Sequence, residues 1–121
     1  MTKEKKLIKF ITELIKATKN SEIKWKEVDS PNALIKGTSN IVPICFETKF
    51  KEKNFILYEQ RFKHFFDEEF FEWGREIKIA CTTYESKVIW ENNEAIPNLY
   101  DLFLIVQEKV SGIDDFLDTF L

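Results

Sequence analysis

The histidine and the carboxylates near the middle of the chain are the first candidates for chemistry. His64 is the only histidine, and it precedes an acidic group that consists of Asp67, Glu68 and Glu69. A histidine beside carboxylates is typical of a general base or a metal ligand. A zinc site needs further Cys or His ligands, and a calcium loop needs a regular spacing of oxygen ligands that this group lacks. We therefore predict a solvated turn here, with no metal and no cofactor.

The two cysteines are the other side chains that could react. Cys45 and Cys81 lie far apart in the sequence, outside any CxxC spacing, and each falls in an alternating run. We expect each to be a reduced, buried thiol that acts as a small hydrophobic side chain. The sequence also lacks a Gly-x-Ser-x-Gly turn, a Gly-rich phosphate loop and a dinucleotide-binding motif. No catalytic residue is therefore assigned.

The strongest signal is a cluster of aromatic residues around the acidic group. The chain contains 12 Phe, 3 Tyr and 3 Trp, and five of the Phe fall between Phe62 and Phe71. Successive strand residues point to opposite faces of a sheet, so Phe65 and Phe66 cannot both face one core, and neither can Phe70 and Phe71. One ring of each pair needs a second apolar environment. This environment is either a helix layer of the same domain or a partner protein, and the sequence leaves both alternatives open.

From this cluster we predict a small non-enzymatic protein-binding module, which acts by self-association or as an inhibitor or accessory type of partner. The predicted binding surface combines the acidic C-terminal face with Phe65, Phe66, Asp67, Glu68, Glu69 and Phe70. One alternative is a small-ligand protein with a pocket between sheet and helices, and its candidate lining residues are Tyr58, Trp73, Arg75 and Trp90. The other alternative is a minor enzyme with a dispersed site of Glu, Tyr, Arg and His.

Charge and hydropathy narrow the class of partner. The net charge is −3, and only Arg61 and Arg75 among the 18 basic residues are arginines. Residues 1–63 contain 14 Lys and Arg against 8 Asp and Glu, whereas residues 64–121 contain 4 against 13. Specific nucleic-acid binding is disfavoured because it relies on a basic field and on bidentate arginine contacts. No segment reaches the roughly 18 apolar residues of a membrane span, so we expect a cytoplasmic protein without a membrane partner.

Three helices are predicted, one at the start of the chain and two at the end. Residues 6–19 carry the apolar stripe of an amphipathic helix, with charged residues opposite. The second helix follows Asn98, which with Asp101 forms a predicted capping pair. The third helix is short, and its solvent-exposed face is acidic. We expect its Phe116 and Phe120 to lie in the core.

Between these helices apolar residues recur at every second position, which predicts antiparallel strands joined by short polar turns. The predicted strands lie at residues 23–25, 33–37, 41–50, 55–64, 71–81 and 87–91. The tip of the longest hairpin is predicted near Asp67. We expect a single α+β domain over residues 1–121, with an N-terminal helix, an antiparallel meander sheet of about five or six strands, and two C-terminal helices.

The C-terminal third of the chain contains short segments that carry a resemblance. They are Val88-Ile89-Trp90-Glu91, Leu99-Tyr100-Asp101-Leu102, and Val110 followed by Ile113-Asp114-Asp115-Phe116-Leu117. With these segments the chain resembles small uncharacterised proteins of low-GC Gram-positive bacteria. The resemblance implies a bacterial, cytoplasmic setting and no particular activity.

Overall fold

A helix, five strands and two further helices follow one another along the chain. The computed structural model describes residues 2–121. The elements are α1 (Lys3–Lys19), β1 (Lys26–Glu27), a 3-10 helix (Asn32–Leu34), β2 (Ile41–Phe50), β3 (Lys53–Phe65), β4 (Phe71–Thr82), β5 (Val88–Glu91), α2 (Leu99–Ser111) and α3 (Ile113–Asp118). The predicted α+β class and the order of its elements are confirmed.

The strands form one antiparallel sheet in the order β1-β2-β3-β4-β5, so the predicted meander is confirmed with five strands. The additional strand predicted at residues 33–37 is wrong. This segment forms the 3-10 helix and a turn, in which the Leu34 amide donates to the Pro31 carbonyl at 3.1 Å. Gly37 follows with a φ of 77°, a conformation that glycine adopts at little cost. The backbone therefore satisfies its hydrogen bonds locally instead of in the sheet.

The main core lies between the sheet and helices α1 and α2. Its largest fully buried side chains include Leu14 of α1, Phe46 of β2, Leu57 of β3 and Phe103 of α2. The rings of Phe46 and Phe103 lie 5.9 Å apart, centroid to centroid, so the sheet and α2 interlock directly. The alternation of β2, β3 and β4 supplies these apolar side chains from one face of the sheet.

A smaller apolar cluster covers the opposite face of the sheet. It consists of Cys45, Ile56, Tyr58 and Ala80, with Val28, Leu34, Val42 and Val88 packed against it. Simple alternation predicts that Val42 shares a face with Ile44, which packs into the main core, and this prediction is wrong. The pairing of β2 with β3 is irregular between Ile41 and Ile44, and the irregularity turns Val42 to the other face.

Asn98 joins the two long helices instead of capping α2 with its side chain. Its Nδ2 donates to the Ile8 carbonyl at 3.2 Å and to the Thr12 Oγ1 at 3.1 Å, both on α1. No side-chain hydrogen bond caps the N-terminus of α2, so the predicted Asn98–Asp101 capping pair is wrong. The competing contact is tertiary, which local sequence patterns do not reveal.

Helix α3 buries none of its side chains. It follows Gly112, whose φ of 64° ends α2 in the left-handed conformation and redirects the chain. Phe116 and Phe120 contact each other edge-on at 5.3 Å, and both are more than half exposed. The prediction that these two rings belong to the core is therefore wrong.

Candidate functional site

Strands β3 and β4 project beyond the rest of the sheet. They pair continuously from Asn54–Thr82 to Phe65–Phe71. Strand β2, however, pairs with β3 only as far as Arg61, and β5 pairs with β4 only at Ala80–Thr82. Residues 61–75 therefore form a two-stranded ribbon without a neighbouring strand along most of its length, and we call it the arm.

The turn at the tip of the arm is held by Asp67. Its Oδ1 accepts hydrogen bonds from the backbone amides of Glu69 at 2.8 Å and Phe70 at 2.9 Å. The Phe66 amide donates to the Phe70 carbonyl at 2.9 Å and closes the turn. Among the predicted binding residues, Asp67 thus shapes the turn, while the side chains of Glu68 and Glu69 are exposed.

The aromatic side chains of the arm belong to neither apolar cluster. The exposed fractions are 56% for Phe65, 64% for Phe66, 65% for Phe70, 40% for Phe71 and 48% for Trp73. At ~200 Å² for each complete aromatic side chain, these fractions amount to roughly 290 Å² on the face of Phe65, Phe71 and Trp73 and roughly 260 Å² on the opposite face, where Phe66 and Phe70 lie. The helix layer of the same domain therefore leaves each of these rings at least 40% exposed.

One face of the arm, on the same side of the sheet as the helices, is aromatic. Phe65 and Phe71 are direct cross-strand partners with ring centroids 5.5 Å apart, and Phe71 meets Trp73 edge-on at 5.8 Å. The Lys63 ammonium lies 4.6 Å from the Phe71 ring centroid and 5.7 Å from that of Trp73. Such cation–π contacts hold the cation over the rings. The surface is thus apolar with a fixed positive charge on it.

Three further charged side chains lie at the base of this face. Glu59 is buried, and its two carboxylate oxygens accept hydrogen bonds from the Nε of Arg61 at 3.1 Å and from the Nε of Arg75. Arg61 and Arg75 are directly opposite across the two strands. Like charges in that position repel, and the carboxylate between them offsets the repulsion. The bond to Glu59 also raises the pKa of the Arg75 guanidinium.

This face carries an excess of positive charge. Glu59 is the only carboxylate of residues 2–121 within ion-pair distance of either arginine, and Lys63 makes no ion pair among them. Both arginine side chains are about half exposed. We call the group Arg61, Lys63, Phe65, Phe71, Trp73 and Arg75 the basic aromatic face.

The basic aromatic face continues onto helix α2. The Tyr100 ring lies 5.5 Å from the Arg75 guanidinium carbon, and both Tyr100 and Leu104 on α2 are partly exposed. On the other side, a shallow cleft runs between Arg75, Trp73 and the exposed Ile41 of β2. The arm and the flank of α2 therefore offer one continuous surface with apolar and basic side chains.

The opposite face of the arm differs in charge. It carries Glu72 and Glu76, and the Glu76 Oε1 accepts a hydrogen bond from Gln60 at 2.8 Å. The Phe62 ring lies flat over Gly74, where a Cβ atom would approach the ring to 2.5 Å. Glycine is required at this position because the ring occupies the space of a side chain.

The four residues of the ligand-pocket alternative do not surround one cavity. Tyr58 is fully buried under the smaller cluster, and its hydroxyl donates to the Glu91 Oε2 at 2.8 Å. Trp73 and Arg75 lie on the basic aromatic face, whereas Trp90 packs against the main core next to α1. The sheet separates Tyr58 from the other three.

A small cavity does adjoin Trp90. It has a volume of about 220 Å³ and lies between α1, β5 and the loop over residues 92–97, with Leu7, Ile8 and Ile96 among its lining residues. Pockets for drug-sized ligands measure about 300–1,000 Å³. This cavity is therefore smaller than an ordinary ligand pocket. A second, wider groove of about 510 Å³ also borders Trp90, between α1 and the turn that joins β2 to β3, and it contains none of the other three predicted lining residues.

The two cysteines are buried and unpaired, as the sequence predicts. Cys45 belongs to the smaller cluster and Cys81 to the main core, so the sheet lies between them. Burial raises the pKa of the Cys45 thiol to about 12, with a further contribution from the charge of Glu47. A thiol with that pKa stays protonated at neutral pH and is a poor nucleophile.

Two features that indicate particular functions are missing from residues 2–121. Within this range no three His, Cys, Asp or Glu side chains are grouped so that they could hold a metal ion. No helix of the described chain has both the length and the apolar content needed to cross a membrane.

From the sequence, Arg75 is only a candidate pocket residue, and neither Arg61 nor Lys63 is assigned to a site. A hairpin tip near Asp67 brings the two arginines close together, and the observed pairing places them directly opposite each other. The position of Ile41 beside this face could not be predicted from the spacing, because it depends on where β2 begins and on its pairing with β3.

Comparison with known proteins provides no relative for this chain. No protein-family model matches it, no curated protein matches it, and no solved structure matches its fold.

Proposed function

We propose that this protein is a non-enzymatic binding module that recognises another protein chain through its arm. The observation that carries the proposal is the roughly 550 Å² of exposed aromatic surface, divided between the two faces of a ribbon that has no neighbouring strand along most of its length. Exposed Phe and Trp side chains lower the solubility of a monomer, whereas buried aromatic side chains contribute strongly to binding at interfaces. A surface of this type is typical of a binding site for a protein.

The composition of the basic aromatic face supports a protein partner over other classes. Protein interfaces are enriched in aromatic residues and arginine, with charged side chains at the rim. Phe65, Phe71 and Trp73 form the apolar part of this face, and Arg61 and Arg75 lie at its edge. A nucleic acid would require several phosphate contacts, and the acidic Glu72 and Glu76 on the other side of the arm repel a phosphate backbone.

The setting that we propose is the bacterial cytoplasm. The unpaired Cys45 and Cys81 support it, because buried reduced thiols persist in a reducing compartment.

A photo-cross-linking experiment tests the binding role of the arm. The photoreactive residue p-benzoylphenylalanine replaces Phe66 at the tip in one variant and Tyr84 in a control variant. Tyr84 is 85% exposed but lies in the turn between β4 and β5, away from the arm. In cells of the native host, we expect irradiation to attach the first variant to a protein, either a second copy or another chain. An adduct yield from position 66 no higher than that from position 84 would contradict the proposal.

A further inference from the structure

Helix α3 and the turn after it form a second apolar surface that the chain leaves uncovered. Ile113, Phe116, Leu117 and Phe120 are all exposed large apolar side chains, and none of them is buried against the sheet or against α1. Asp114, Asp115 and Asp118 lie on the same short segment, which carries no basic residue. This surface, residues 113–120, is therefore apolar and acidic, and we call it the acidic segment.

We propose that the acidic segment of one copy docks on the basic aromatic face of a second copy, so that two chains form a reciprocal dimer. The inference rests on the proposed binding role of the arm and adds the identity of its occupant. In this dimer the acidic segment of each chain covers the basic aromatic face of its partner.

Charge decides which face of the arm takes the acidic segment. Arg61, Lys63 and Arg75 face one buried carboxylate, so the basic aromatic face keeps an excess of positive charge. The other face carries Glu72 and Glu76, which would repel the three aspartates of the segment. The apolar and charged parts of the two surfaces therefore match on the helix side of the arm and on that side alone.

The exposed areas also agree with the size of a stable interface. With ~200 Å² for a full aromatic side chain and slightly less for Ile or Leu, the apolar side chains of one docked pair of surfaces remove roughly 700 Å² from water. The pair occurs twice in a reciprocal dimer, which gives about 1,400 Å², within the range of about 1,200–2,000 Å² for a specific protein interface. One contact alone would be at the lower end for a specific complex.

Symmetry accounts for the closure of such a dimer. Two different surfaces on one chain produce a closed two-fold pair, a larger ring or an open filament. When the two contacts form between the same two copies, the basic aromatic face and the acidic segment of both chains are covered and growth through these surfaces stops. The expected species is therefore a dimer and not a series of larger assemblies.

Sedimentation equilibrium of the purified chain from micromolar to sub-millimolar concentration tests the inference. We expect the parent protein to form a dimer. Trp73→Ser on the arm, and Phe116→Ser with Phe120→Ser on the acidic segment, should each weaken dimerisation at least about tenfold. These side chains are exposed, so circular dichroism should show both variants folded. Tyr84→Ser, at an exposed aromatic position away from both surfaces, is the matched control and should dimerise like the parent.

Mixing the two weakened variants separates reciprocal docking from other modes of self-association. The Trp73→Ser chain retains an intact acidic segment, and the Phe116→Ser, Phe120→Ser chain retains an intact arm. Their mixture regains one of the two contacts, so we expect a heterodimer that neither variant forms with itself. Dimerisation that survives loss of the acidic segment would indicate arm-to-arm contact and would overturn the inference.

Charge reversal provides a second, independent test. Lys63→Glu should weaken the dimer, and Asp114→Lys with Asp115→Lys and Asp118→Lys in the same chain should restore it. If the three Asp→Lys changes do not restore dimerisation, the proposed charge pairing between the two surfaces is wrong. If the parent chain stays monomeric at every concentration, the proposed dimer is wrong. The proposed binding role is tested separately by the cross-linking experiment. An adduct between position 66 and a different protein would support that role even if the dimer is absent.

Discussion

The two halves of the β3–β4 hairpin both carry apolar side chains on both faces of the strands, but their surroundings are opposite. In the lower half, Leu57 and Ile79 are fully buried under α1 and α2, while Tyr58 and Ala80 are buried on the other face. In the arm, the two faces carry Phe65, Phe66, Phe70, Phe71 and Trp73, and each of these side chains is at least 40% exposed. The difference lies in what covers the strands and not in the strands themselves.

This contrast shows why aromatic content alone does not identify a core. The lower half has neighbouring strands on both sides, two helices on one face and the segment over residues 28–40 on the other. The arm has a single partner strand along most of its length. A ring in the lower half therefore stabilises the fold, whereas a ring in the arm remains available to a second chain.

The largest expected effect contrasts one side chain from each half. Leu57→Ala should lower the free energy of unfolding by about 2–5 kcal/mol, because it leaves a cavity in a fully packed core. Phe65→Ala in the arm should change it by no more than about 0.5 kcal/mol, as is usual for exposed positions. Urea unfolding of both variants in dilute solution measures the difference. Equal losses from the two variants would remove the distinction between the halves.

The next effect concerns the boundary between the halves, where Glu59 lies between two arginines. Glu59→Gln should cost about 1–3 kcal/mol, because it leaves Arg61 and Arg75 opposed without a countercharge. Lys63→Gln, which removes an exposed charge from the same face, is the control and should stay close to the parent protein. Thermal unfolding at low and high salt gives the comparison. A Glu59→Gln variant as stable as the parent would show that the arginines need no carboxylate.

A smaller effect is expected from the packing of the arm itself. Gly74→Ala should destabilise the protein by about 1–2 kcal/mol, because the new Cβ would meet the Phe62 ring at 2.5 Å. Phe62→Ala alone should cost little, and adding it to Gly74→Ala should recover most of the loss. A double-mutant cycle in urea measures this coupling. Simple additivity of the two changes would contradict the close packing of ring and glycine.

The smallest effect is a pH dependence that originates in the lower half. The pKa of Cys45 is about 12 in the folded protein against an ordinary value of 9.0, so folding stabilises the protonated thiol. That stability is complete below pH 9 and declines above it, as the unfolded chain loses its proton first. Raising the pH from 8 to 9.5 should therefore cost less than about 1 kcal/mol of stability. Cys45→Ala should remove it, and an unchanged pH profile in that variant would assign the effect elsewhere.

Much of the fold was predictable because its patterns are local. The period of α1, the alternation of β3 and β4 and the turn at Asp67 each appear in consecutive residues, and the structure confirms all three. Asn98 and Val42 were predicted wrongly because a contact with α1 and an irregular strand pairing decide their positions. Neither of these leaves a local pattern in the sequence.

The candidate site was predictable only in part. The conflict between Phe65 and Phe66, and between Phe70 and Phe71, correctly identified the hairpin as the unusual region. Whether α1 and α2 reach far enough to cover these rings depends on how they cross the sheet, and strand alternation contains no information about that. For the same reason Phe116 was placed in the core although it is exposed.

The central claim is that the aromatic side chains of the arm do not belong to the core. The free energy of unfolding of a Phe65→Ser, Phe71→Ser, Trp73→Ser variant tests it most directly, by urea titration at a concentration where association adds no stability. We predict a value within about 1 kcal/mol of the parent protein, because these side chains are exposed in the single chain. A loss of more than about 4 kcal/mol, which is typical when core aromatic residues are truncated, would contradict the account.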